Sequence, residues 1–274
     1  MTSLVSQIIR SIKRLLRIEP SYRPSEEQIL LRATVLRSID VRSEISESFS
    51  KPWTNNPGSN ERAVFGMWVN NAVRHLVAVT VLAEQGDLAL IAEVHFRQLL
   101  ELLLQTKRLA AEPSASRDSL ALKVAAWGCI DYLNKLQPVK NHPLAADGYA
   151  ELSSMKSRFP KALTAQIESE MKKGKKHWHG LTETDLARRM SSGSQDLAAL
   201  YRIASSQLHG SWDVALGVSS PRPGRLEFRP YPDQATLYRW SAELVDRCTE
   251  FCIALWNTVA KTVGAPPLDH EPNI

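Results

Sequence analysis

The segment IAEVHFRQLLELLLQ, residues 91–105, constrains the fold more than any other part of this chain. Its apolar residues recur around the whole circumference of a helix, and a helix of that kind is normally buried. Yet Glu93, Arg97 and Glu101 stand four residues apart within it. A four-residue step advances only about 40° around the axis, so the three charges form one stripe. Val94, Leu100 and Leu104 flank the stripe, and Leu99, Leu102 and Leu103 cover the far side. Charges on a buried helix must be paired or must serve a purpose. Two readings stay open. In one, a Glu-Arg-Glu network fixes helix register. In the other, Arg97 holds an anion in a polar pocket and Glu101 acts as a base perturbed by burial.

The rest of the chain repeats helical periodicity in long segments with short connections. Ser25 followed by Gln28 forms a capping-box sequence that opens a helix running to about residue 49. KPWTNNPGSN, residues 51–60, reads as a loop. Further helices are expected at about 61–85, 88–111, 114–136, 144–158, 161–173, 183–191, 195–209 and 234–263. LEFR, residues 226–229, is the one place where a short strand is expected. The pattern predicts an all-α, multi-helix bundle with short connections. Residues 25–274 read as a single helical domain, and residues 1–24 as an appended basic amphipathic helix and linker.

Residues 1–18 interleave Ile8, Ile9, Ile12, Leu15 and Leu16 with Arg10, Lys13, Arg14 and Arg17. Five basic residues against Glu19 leave residues 1–24 at +4 of the chain's total +5, so the remainder is close to neutral. Global charge is therefore a weak pointer to nucleic acid. Such a helix packs on the body, docks on a second subunit, lies on an anionic membrane surface or stays a partly disordered tail. We expect a homo-oligomer. The expected location is cytoplasmic, with attachment to the inner face of the membrane through residues 1–18 as the alternative. No run reaches the roughly 18 apolar residues of a membrane span. Cys129, Cys248 and Cys252 are too few for a disulfide framework and read as buried thiols.

A second polar stripe lies in LYRIASSQLHGSW, residues 200–212. Tyr201, Ser205 and His209 share a face, with Arg202 and Ser206 beside them. We expect Arg97, Glu101 and His209 to converge on one pocket, with Glu93, Tyr201, Ser205 and Ser206 lining it. Buried polar stripes cost least when they face each other. Within MKKGKKHWHGLT, residues 171–182, the basic set Lys172, Lys173, Lys175 and Lys176 is a candidate phosphate grip, with Trp178 as a stacking platform for RNA. The same segment reads equally as a solvated turn that Trp178 anchors. His177 and His179 could chelate only in an extended turn, and the sequence shows no carboxylate or cysteine cluster beside them, so no metal is expected. No cofactor is implied either. The missing Gly-x-Ser-x-Gly elbow and the missing sheet argue against a Ser-His hydrolase.

Two resemblances bear on function. Arg202-x6-His209 resembles the Arg-x(4–6)-His signature of HEPN-type ribonucleases. That resemblance covers one helix and departs at Ile203, where a polar residue is usual. It implies metal-independent RNA cleavage, with Arg202 steadying the scissile phosphate and His209 managing the proton of the attacking 2′-hydroxyl. More broadly, Gly86 with FRQLLE, then KKHW, then YRIASSQLHG resembles the bacterial helical family known as domain of unknown function 5677, over about residues 60–215. That likeness implies an all-α intracellular bacterial protein. The corresponding residues here are Arg97, Glu101, Tyr201, Ser205 and His209. The setting we associate with it is bacterial stress or phage defence. The expected function is that of a non-catalytic effector or interaction module, with the ribonuclease as the alternative.

Overall fold

The computed structural model describes residues 24–55, 57–85, 89–191, 196–208, 218–222, 225–228 and 233–268. Nine α-helices lie among them: α1 (Glu26–Ser50), α2 (Ser59–Ala83), α3 (Ala89–Ala110), α4 (Ser114–Leu136), α5 (Pro143–Arg158), α6 (Lys161–Lys172), α7 (Glu183–Met190), α8 (Leu197–Leu208) and α9 (Gln234–Val263). A short hairpin pairs β1 (Val218–Arg222) with β2 (Arg225–Phe228) in antiparallel fashion, Val218 opposite Phe228. The architecture is the all-α bundle read from the sequence. The expected strand corresponds to β2. Its partner β1 contains Ser219, Ser220 and Pro221, which read as loop. The helix expected over residues 1–18 lies outside the described residues, as does His209.

The elements begin and end where local chemistry requires. The Ser25 hydroxyl accepts from the Gln28 N–H at 3.3 Å, and the Gln28 side chain accepts from the Ser25 N–H at 3.0 Å, so the capping box is complete. Asp233 caps α9 by accepting from the Thr236 N–H at 2.7 Å. Gly264 ends α9 in the left-handed region, at φ 69°. Two of the last carbonyls of α9 are taken up by Asn55, whose backbone N–H reaches Val263 O and whose side-chain amide reaches Thr262 O. The loop of residues 51–55 thus seals the end of the last helix.

The 30-residue helix α9 is the hub: α1, α2 and α3 all pack on it. Its Val245, Cys248, Cys252, Ile253, Trp256 and Val259 are buried, and they join a continuous apolar core that reaches from Leu31 on α1 to Leu268. Arg37 on α1 bridges Asp246 and Glu250 on α9. Ser38 and Thr80 share a buried hydrogen bond of 3.1 Å between α1 and α2. The cysteines are unpaired buried thiols. None of the described helices is long and apolar enough to cross a membrane.

Two smaller layers lie on this four-helix core. α4 packs on α2, and α5 and α6 pack on α4. Arg117 on α4 pairs with the buried Glu61 on α2 at 2.8 Å. The other layer is α7 with α8, which pack on each other and both on α3. α3 is therefore covered by α2 and α9 and also by α7 and α8, as a helix apolar all round requires.

Glu170 ties α6 to α4. Its carboxylate accepts from Lys123 Nζ at 3.1 and 3.2 Å and from Gln166 at 2.9 Å, and it pairs with Lys175 at 3.3 Å. Burial opposes ionisation, but Gln166, Lys123 and Lys175 outweigh it and hold the Glu170 carboxyl at about 2. A depressed carboxyl contributes stability that is complete above its unfolded pKa of about 4.3 and is lost as pH falls towards about 2. Urea midpoints measured across that window should fall for the wild type. Glu170→Gln should be less stable at neutral pH and show a flatter decline. Parallel pH profiles for the two would remove this linkage.

Candidate functional site

The polar stripe of α3 faces α8. Tyr201 lies on the inner face of α8 with Leu197, Ala198 and Ala204, all buried. Arg97 Nε donates to Glu101 Oε1 at 2.8 Å, and Arg97 Nη2 donates to the Tyr201 hydroxyl at 3.1 Å. That hydroxyl donates onward to Glu101 Oε1 at 3.3 Å, which closes a three-membered ring of hydrogen bonds. The guanidinium carbon also stands 5.4 Å from the Tyr201 ring centroid, within range of a cation–π attraction. Ser205 supplies a further side-chain hydrogen bond to Tyr201. Glu93 is half-buried one turn before Arg97. The ring is not sealed, since the Arg97 and Glu101 side chains keep 21% and 20% of their surface.

The turn before α7 brings a second set of groups within electrostatic reach of the ring. His177 Nδ1 lies 3.1 Å from Glu183 Oε1, at the first position of α7. Thr182 caps that helix by accepting from the Asp185 N–H at 3.1 Å. The His177 and His179 rings lie parallel, with centroids 5.2 Å apart. His179 Nδ1 accepts from the Leu181 N–H at 3.2 Å. His179 Nε2 and Glu183 Oε2 are both buried with no hydrogen-bond partner among the described residues.

The two sets feel each other electrostatically. Burial pushes the Glu183 carboxyl up to about 7. The Glu101 charge adds to the rise, and Arg97 offsets part of it. Burial, then His177 and Arg108, push His179 down to about 4, so it is neutral at physiological pH. Burial likewise lowers His177, and with Glu101 it raises Tyr201. Burial also opposes the charge on Arg97, but Glu101 and Tyr201 hold it protonated. The seam therefore joins a fixed cation to a carboxyl that exchanges its proton near neutrality and to two imidazoles whose charged form burial disfavours. Such a set can hold an anionic group at Arg97 and give or take a proton at Glu183.

The sequence-derived candidates divide among these surroundings. Arg97, Glu101, Tyr201 and Ser205 come together. His209 lies outside the described residues, as does the side chain of Ser206, so their expected part in the pocket has no described geometry. Arg202 is exposed and Tyr201 beside it is buried, so on α8 they occupy different faces. Lys172, Lys173, Lys175 and Lys176 are exposed, and Lys175 is engaged by Glu170. Trp178 is only 8% exposed, which makes it the anchor of the turn rather than an open stacking platform. His95 faces away from the seam, with its Nδ1 2.9 Å from that of His75 on α2. The residue that sequence reasoning missed is Glu183. Its spacing of four and six residues from His179 and His177 was the available signal, but it spans a turn into a helix start, where no fixed periodicity applies.

Removing one member of the ring should cost more than removing another. Tyr201→Phe leaves the Arg97–Glu101 pair intact and should cost about 1 kcal/mol. Arg97→Met leaves two carboxyls in the seam without their cation and should cost about 1–3 kcal/mol. Urea denaturation with unchanged m-values checks the order. Equal costs would show that Arg97 does not organise the seam.

Residues 62–220 match the model of a family described only as a family of unknown function, DUF5677. The match runs from the start of α2 into β1 and includes the whole polar seam. No curated protein and no solved structure matches the chain. The match covers more than half of the residues and agrees with the resemblance seen in FRQLLE, KKHW and YRIASSQLHG, and the chain belongs to the DUF5677 family.

Proposed function

We propose that this chain is a helical effector or interaction module that works by binding a small polar ligand in the seam between α3, α7 and α8. One observation carries the reading. Arg97, Glu101, Tyr201, His177, His179 and Glu183 are all at least partly buried, yet two of their buried polar atoms have no partner among the described residues and the rim stays open. Apolar side chains of similar volume would fill such a seam at equal or lower cost to stability. A network needed only for register would satisfy its own polar atoms. Arg97 favours an anionic group on the ligand, and Glu183 with its pKa of about 7 can serve as donor or acceptor.

The proposal extends to assembly and place. Ile29, Ala33 and Leu36 form an exposed apolar stripe on α1, which supports a homo-oligomer or docking by residues 1–18. The basic charge of residues 1–18 supports contact with an anionic membrane surface. A stress or phage-defence setting in the bacterial cytoplasm rests on family resemblance alone. The ribonuclease alternative draws its support from the exposure of Arg202 and of the lysine turn at residues 172–176.

Purified full-length chain incubated with total RNA in EDTA separates the two readings, beside Arg202→Ala and His209→Ala. The module reading predicts intact RNA in all three samples. Cleavage by the wild type that either substitution abolishes would replace it with the nuclease. Sedimentation of the same sample should show a species heavier than the 30.7 kDa chain, and a monomer at every concentration would remove the assembly.

A further inference from the structure

His177, His179 and Glu183 reach one place through a turn whose backbone depends on glycine. Gly180 sits at φ 71°, and its N–H closes the turn onto His177 O at 3.0 Å. That reversal sets the two imidazoles side by side and delivers the chain to the N-terminus of α7, where Glu183 points back at them. Each of the three residues offers one ligand atom, and all of these atoms lie within 4.8 Å of one another. Tetrahedral coordination with bonds of about 2.0–2.1 Å places neighbouring ligand atoms about 3.3 Å apart. The His177 Nδ1 to Glu183 Oε1 separation of 3.1 Å already matches that edge.

The second observation is the pair of buried atoms without partners, His179 Nε2 and Glu183 Oε2. Each faces a desolvation cost in the protein alone, and both belong to residues able to ligate a cation. Two imidazoles with one carboxylate suit a borderline first-row ion. Calcium and magnesium call for a set made of oxygen atoms. Ligation at His179 Nε2 has a local cost. Its Nδ1 accepts from Leu181 N–H at 3.2 Å, so Nε2 carries the proton of the neutral ring. An ion there calls for the ring's other neutral tautomer, with the proton moved to Nδ1, so Nε2 gains a metal bond while the Leu181 N–H loses its acceptor, and the turn at Gly180 is where the chain adjusts.

We propose that His177, His179 and Glu183 bind one divalent transition-metal ion of zinc's class. This deepens the ligand-binding reading of the seam and rests on it. Three protein ligands leave a further coordination position for water or for a donor atom of the bound molecule. Arg97 and Glu101 lie close enough for their charges to act on Glu183, and Arg97 would meet an anionic group held at the ion.

The test uses the full-length chain stripped with chelator and dialysed, then titrated with Zn²⁺ by calorimetry and with Co²⁺ by visible absorption. The expected result is one ion per chain with micromolar or tighter affinity, and Co²⁺ bands that Zn²⁺ abolishes. His179→Ala and Glu183→Gln should each weaken binding by about tenfold or more. His95→Ala, whose ring pairs with His75 away from the seam, should bind as the wild type does. Circular dichroism establishes that each variant is folded, and if both ligand variants unfold, the Co²⁺ spectrum of the wild type decides. The proposal is overturned by binding only at millimolar ion, by no Co²⁺ bands, by ligand variants that bind normally, or by loss of binding in His95→Ala, which would place the ion at the His75–His95 pair. Failure here with intact RNA in the nuclease assay removes the ion and leaves the module reading. An ion bound here with RNA cleaved there removes the module reading instead.

Discussion

Everything in this bundle turns on the need to bury α3 on all sides. Leu99, Leu100, Leu103, Leu104 and Leu109 are each 0–1% exposed, and at about 25 cal/mol per Å² their burial is a large share of what holds the core together. One set of partners, α2 and α9, takes most of that surface. The rest falls to α7 and α8, which pack little against anything else. The charged stripe lies on this second side. The thin two-helix layer therefore covers an apolar helix and its ion pair at once, and the seam becomes polar in its interior while staying open at its rim.

That division explains why the polar groups gather there. A guanidinium inside a sealed core would demand full pairing. At the α3–α8 seam Arg97 is held by Glu101 and Tyr201 and still meets solvent. Glu183 and His179 lie deeper, and their shifts to about 7 and about 4 record the cost of charging them there. A seam that combines a held cation, buried imidazoles and a carboxyl near its titration point is poorly explained by stability alone, because burying such groups costs more desolvation than apolar side chains of similar volume would.

The helices were legible because periodicity over twenty or more residues is a strong signal. The expected spans at 114–136 and 234–263 agree with α4 and α9 to within a residue or two, and Ser25 with Gln28 gave the start of α1. Two polar stripes on otherwise apolar helices point to a pocket shared by Arg97, Glu101 and His209; the structure brings Arg97 and Glu101 to Tyr201, while His209 lies outside the described residues. What the sequence could not convey was tertiary. Glu183 reads as an ordinary acidic residue in a helix's first turn, and only the reversal at Gly180 turns it towards His177. Trp178 looked the same whether it faced solvent or core, since a turn residue has no periodic face. Strand β1 was hidden by Pro221 and its serines, whose local preference is for loops.

The central claim is that the seam is polar for a ligand's sake and not for the fold's. Replacing its ring together, with Arg97→Met, Glu101→Leu and Tyr201→Phe in one chain, tests this most directly through the free energy of unfolding in urea. The account predicts stability equal to or greater than that of the wild type, because apolar groups of similar volume avoid the desolvation of the charged pair. A loss of more than about 3 kcal/mol, the range found when a buried network is broken, would contradict it and show that the ring exists to hold α8 on α3.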